Sequence, residues 1–176
     1  MPSVRLVIRA AVIAAAAATV AALAVQPSTA HAATTRNLCG LLSSSALAGV
    51  HVHGPCKRGK TQTFSESGVT VGTLTWVRWG SLPRTTGLVT ANIYDINSSY
   101  LSLAKERFTR LGGTHVAVGK WGLMTTCQKT QAGITFGVGD YIVQVAVTTP
   151  GAHPLKSKGQ MQEKATSLAA QLAKGL

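Results

Sequence analysis

Soft metal ligands gather at one place in this chain, His51-x-His53-x-x-Cys56, inside a basic, glycine-containing run that extends to Lys60. Imidazole and thiolate are the donors that hold zinc or copper. Alternate residues of an extended segment point to opposite sides, so His51 and His53 share an ion only if the backbone bends between them. Cys56 can join them only as a thiolate, and an oxidised cysteine does not ligate. The plainer expectation is two histidines on an exposed loop.

Carboxylate chemistry has little to draw on. Five acidic residues occur in 176: Glu66, Asp95, Glu106, Asp140 and Glu163. Glu106 and Glu163 stand beside Lys105 and Lys164 on segments that read as helix, where a solvated surface charge is the usual outcome. Asp140 reads as a turn residue and Asp95 as a helix-start residue. No Gly-x-Ser-x-Gly elbow occurs. No catalytic residue is assigned, no cofactor is expected, and the chain is not read as an enzyme. The alternative is a small secreted hydrolase in which His115 and a serine, with Asp95 or Asp140, meet only in the fold.

Aromatic residues offer a third kind of site. Trp76, Arg78 and Trp79 form a candidate ligand-binding group, a stacking or cation–π platform for sugars or lipids. Their separation of three places the two tryptophans on opposite faces of a strand, one toward a core and one toward solvent. Nucleic-acid binding calls for stacking aromatics within a basic patch or a recognisable module. Neither is present, and nucleic acid is not an expected partner.

The elements that must position these residues follow from periodicity. Leu38, Leu41, Leu42 and Leu47 repeat at helical spacing, with Gly49 as a stop. Residues 69–79 alternate and are rich in β-branched and aromatic side chains, which predicts a strand. A turn over 80–87 containing Pro83 leads to a second strand at 88–94. Asp95, Asn97 or Ser98 can cap a helix to about Arg110, striped by Tyr100, Leu101, Ala104, Phe108 and Leu111. After Gly112-Gly113 come strands near 115–118, 123–129, 134–138 and 141–149, the last two joined by a hairpin at 137–140. Residues 158–174 form an amphipathic helix with Met161, Ala165, Leu168, Ala169 and Leu172 inward. This order predicts an α+β fold: one antiparallel sheet with an N-terminal, a mid-chain and a C-terminal helix packed on one face.

Residues 1–32 have the form of a secretory signal: Arg5 and Arg9, an apolar run, Pro27, then Ala30-His31-Ala32. The apolar run is short for a membrane span. A soluble exported protein beginning at Ala33, a single domain over 33–176, is the expectation. Removing Arg5 and Arg9 takes the formal net charge from +12 to +10. The remaining Lys and Arg are interspersed, a distribution that attracts anionic surfaces without selecting among them. Outside the cell, acidic envelope polymers are the natural counterparts, along with apolar envelope ligands or a protein partner. A monomer is expected. Inhibition of secreted proteases is a further alternative, resting on size, export and a cysteine-flanked loop.

Three cysteines, Cys39, Cys56 and Cys127, remain after processing. An oxidising compartment favours pairing two of them and leaves one thiol over. Cys39 with Cys56 is the expected pair, because they are close in sequence and flank one helical segment; Cys127 with either is the alternative.

The run Asn37-Leu-Cys-Gly-Leu-Leu-Ser-Ser-Ser-Ala-Leu-Ala-Gly49, with Cys56, Gly112-Gly113, a strand pair and a C-terminal helix in this order, resembles the actinobacterial LpqN-like group of exported proteins and lipoproteins. The resemblance implies a compact α+β domain at the cell envelope, similar in shape to the photosystem-associated PsbP-like folds. It brings no catalytic residues. Two departures stand out: Lys57 and Arg58 follow the second cysteine where that group has an aromatic residue, and Cys39 is not preceded by a lipobox.

Overall fold

The computed structural model of the chain describes residues 37–66, 68–80 and 86–176. The expected export signal at 1–32 and the centre of the turn around Pro83 lie outside them. Eight strands form one antiparallel sheet: β1 (Cys56–Arg58), β2 (Gln62–Glu66), β3 (Val69–Trp79), β4 (Leu88–Ile96), β5 (Thr114–His115), β6 (Trp121–Cys127), β7 (Gln131–Val138) and β8 (Tyr141–Thr148). Their order is β1-β3-β4-β8-β7-β6-β5, and β2 shares the outer edge of β3 with β1. Among the described residues three α-helices accompany them: α1 (Ser44–Ala48), preceded by a 3-10 turn at Leu38–Leu41, α2 (Ser98–Thr109) and α3 (Lys158–Gly175). The architecture is α+β, as the pattern predicts.

Two antiparallel meanders make the sheet. The first ends on β4; α2 then carries the chain to the far edge at β5, and the second meander returns to lay β8 against β4. Gly139-Asp140 closes the β7–β8 hairpin, and Gly139 has φ +56°, the left-handed backbone that a two-residue hairpin turn uses at its first position.

Strand alternation gives the sheet two different faces. Val77 and Trp79 of β3, Val89, Ala91 and Ile93 of β4, and Val143, Val145 and Val147 of β8 fall on one side by register and are all buried. Met161, Ala165, Leu168, Ala169 and Leu172 of α3 close over them, joined by Leu38, Leu42, Val50 and Val52 from the N-terminal segment. Burying each Val, Leu, Ile or Met among them stabilises the fold by about 1.5–3 kcal/mol. Ser157 caps α3 by accepting from the Gln160 N–H at 3.0 Å.

The mid-chain helix lies on the other side, which corrects the expectation of all helices on one face. Phe108 of α2 meets Tyr94 with ring centres 5.6 Å apart, and Tyr94 points away from the α3 side. Asn97 is its cap, accepting from Ser99 N–H. No residue of α2 is fully buried, and Leu103 and Leu111 are exposed. A helix stripe predicts that a face is covered but not which face of the sheet covers it. The run 51–60, read as a loop, contains β1, and β2 follows it. Both are short edge strands lacking an alternating apolar pattern.

Candidate functional site

Cysteine pairing comes first, because it fixes the loop that borders the site. Cys39 and Cys56 form a disulfide across 17 residues, with Cα atoms 5.6 Å apart. Cys127 is a half-buried thiol whose Sγ lies 3.5 Å from the Lys158 carbonyl oxygen. The bond ties the N-terminal segment to β1, and β1 pairs in the order Cys56 with Trp79, Lys57 with Arg78 and Arg58 with Val77.

That register separates the predicted aromatic group. Trp79 is 2% exposed and its indole Nε1 donates to the Cys39 carbonyl oxygen at 3.1 Å. It is a core and clip residue. Trp76, 40% exposed, and Arg78 share the opposite, open side. Gly59 follows β1 and lies directly against the Trp76 ring: a Cβ there would run into Cε2 and Nε1 of the indole. Its N–H donates to the Trp76 carbonyl oxygen at 3.0 Å, so the ring rests on bare backbone. One ring surface is thereby supported.

Register extends the site across the sheet. Lys57 and Thr90 flank Arg78 on the neighbouring strands; Asn92 stands opposite Trp76, and Gln144 opposite Asn92. The Tyr94 hydroxyl donates to Gln144 Oε1 at 3.0 Å. Burial pushes the Tyr94 phenol above its ordinary value, so this donor persists further into the alkaline range.

The electrostatics of this patch are one-sided. Lys57 and Arg78 are like charges directly opposed across two strands, an arrangement that destabilises by roughly 0.2–1 kcal/mol. No acidic residue of β1, β3, β4 or β8 shares their side, since Asp95 alternates to the other. The Arg78 Nε is buried and without a hydrogen-bond partner among the described residues. Lys57, Asn92 and Gln144 were beyond the reach of sequence reading because alternation gives a residue's face but not its cross-strand neighbour.

The remaining predicted residues are dispersed. Asp95 sits on the α3 side between Thr73 and Tyr141, in a narrow cleft beneath Leu176. Three strands separate β4 from β5, where His115 is exposed. Asp140 is exposed in the β7–β8 turn, and its carbonyl oxygen accepts from the Ile96 N–H. The fold does not bring His115 together with either aspartate. Arg110 and Glu106 pair on the exposed side of α2. Of the weak metal pair, His51 and His53 are both exposed, and Cys56 is consumed in the disulfide. Among the described residues no three His, Cys, Asp or Glu stand close enough to hold a metal ion. No described helix is long and apolar enough to cross a membrane.

Compared with protein-family models, with curated proteins and with solved structures, the chain gives no match.

Proposed function

We propose that this chain is an exported binding module whose open sheet face holds an anionic polymer of the cell envelope. Lys57 facing Arg78, with no carboxylate on the same side of β1, β3, β4 or β8, is the observation that supports it. A bound phosphate or carboxylate relieves that repulsion and offers acceptors to the guanidinium. Trp76 adds an exposed indole face on which a sugar or glycerol unit can lie. Asn92 and Gln144 continue the strip with neutral hydrogen-bonding groups. The overall positive charge raises the rate of encounter with such a polymer. The disulfide accords with an oxidising compartment and the 1–32 segment with export. Membership of the LpqN-like group belongs to the same proposal.

Titration with a poly(glycerol phosphate) chain, read by tryptophan fluorescence, tests it. Affinity is expected to fall steeply with added salt. Arg78→Ala is expected to weaken binding by about tenfold or more, equivalent to about 1.4 kcal/mol. Equal binding of an uncharged glycan of the same length, or an unchanged affinity for Arg78→Ala, overturns the proposal.

A further inference from the structure

His51 is the one non-glycine residue with positive φ among the described residues, at +58°. Backbone in that region is uncommon outside glycine, although histidine enters it more readily than most, and it persists where its surroundings hold it. Here they do. Val50 and Val52 on either side are buried, at 0% and 4% exposure. The His51 N–H donates to the Ala48 carbonyl oxygen at 3.0 Å, and its own carbonyl oxygen accepts from the Gly87 N–H at 2.7 Å. The twist turns the imidazole outward toward a residue 102 positions away: the rings of His51 and His153 stand 6.3 Å apart, centre to centre, inclined at 47°. His153 is anchored in turn. Its N–H donates to the Pro150 carbonyl oxygen at 3.0 Å, and Pro150 and Leu155 around it are buried.

We infer that His51 and His153 form a surface site for a borderline transition-metal ion, copper(II) above all. An ion bonded to an imidazole nitrogen at about 2.0–2.1 Å lies about 3.2 Å from that ring's centre. Two rings sharing one ion are then between about 5.2 Å apart at a tetrahedral angle and about 6.4 Å apart when trans. The separation of 6.3 Å falls within this window, at its trans end. Trans nitrogens suit the tetragonal preference of copper(II), which also heads the affinity order for nitrogen sites. Two protein ligands leave the other positions to water, so the ion exchanges readily and remains open to a further ligand. The sequence pair His51-x-His53 is replaced by a pair formed between the 50–55 loop and the 150–155 segment. This site stands apart from the open sheet face and does not depend on its ligand.

The full exported chain is titrated with copper(II) alone and followed by electron paramagnetic resonance. One equivalent with nitrogen hyperfine from two imidazoles is expected. His153→Ala and His51→Asn should each lower the affinity at least tenfold, while His53→Ala should leave it unchanged. Asparagine is chosen at 51 because it tolerates the left-handed backbone, so the loop keeps its shape. Far-ultraviolet circular dichroism and the melting temperature of the metal-free variants report that the fold is intact. Wild-type binding that persists in the double variant His51→Asn/His153→Ala overturns the inference. So does a site lost in His53→Ala but retained in His153→Ala.

Discussion

The Trp79 indole donates to the main-chain oxygen of Cys39 at 3.1 Å, and Cys39 is bonded through sulfur to Cys56, the residue directly opposite Trp79 on β1. Side chain, disulfide and strand pairing therefore close one small circuit between the N-terminal segment and the sheet edge. Trp79→Phe keeps most of the ring but orphans the half-buried carbonyl oxygen, and is expected to cost about 1–3 kcal/mol. Removing the bond with Cys39→Ser and Cys56→Ser is expected to cost about 3 kcal/mol through the freed chain entropy. Combined, they should cost less than their sum, because both loosen the same junction. Urea unfolding of the four proteins measures this. Thiol labelling of unfolded wild type should count a single free cysteine, Cys127.

Lys57→Glu places a carboxylate opposite Arg78. Replacing a like-charge pair by an opposite-charge pair should raise stability by roughly 0.2–1 kcal/mol. The same change should abolish polyanion binding, so stability and binding move in opposite directions. Thermal melts alongside the polymer titration settle the sign of each.

Two glycines on the open side should respond differently to alanine. At Gly72 a Cβ meets the main-chain oxygen of Asp95 on the paired strand, which cannot yield without disturbing the ladder. Gly72→Ala is expected to destabilise by about 1–3 kcal/mol. At Gly59 the obstacle is the ring of Trp76, an exposed side chain able to swing aside. Gly59→Ala should leave stability within about 0.5 kcal/mol but shift the tryptophan emission and weaken polymer binding. Comparable melting temperatures for the two variants would contradict this reading.

Alkaline pH provides a test of the Tyr94–Gln144 contact. Burial raises the folded phenol above 10.0, whereas the unfolded chain ionises near that value. Above pH of about 10 the unfolded state holds fewer protons than the native one, so this contribution is complete below that pH and is lost as pH rises toward the folded pKa. Tyr94→Phe is expected to cost about 0.5–1.5 kcal/mol at neutral pH, from the lost hydrogen bond. Its stability should also decline less steeply above pH 10 than that of wild type. Parallel declines in chemical denaturation across pH 8–11 would exclude a part for Tyr94.

The strongly periodic elements were legible in the chain itself. β3 matches the predicted 69–79 run, and α3 matches its stripe, with the same five residues buried. The cysteine pair and the separation of Trp76 from Trp79 across the strand also follow from spacing. What escaped is non-local. β1 carries Lys57 and Arg58 in three residues and owes its pairing to the length of β3, not to any pattern of its own. The side taken by α2 depends on how the sheet closes over α3, which a helical stripe does not encode. His153 lies in a short turn and becomes chemically interesting only through the distant loop that faces it. Pairing between remote segments is a property of topology.

The outermost strands of the sheet are its briefest: β5 spans two residues at one margin, while β1, with adjacent cationic side chains, and β2 divide the other between them. A long, flat, apolar margin would recruit the backbone of another molecule and grow into fibrils. Here such recruitment finds few consecutive open amides at one border, and at the other two short strands, of which β1 carries the adjacent cations Lys57 and Arg58. Short margins of this kind leave the sheet little room to lengthen by adding strands from another molecule.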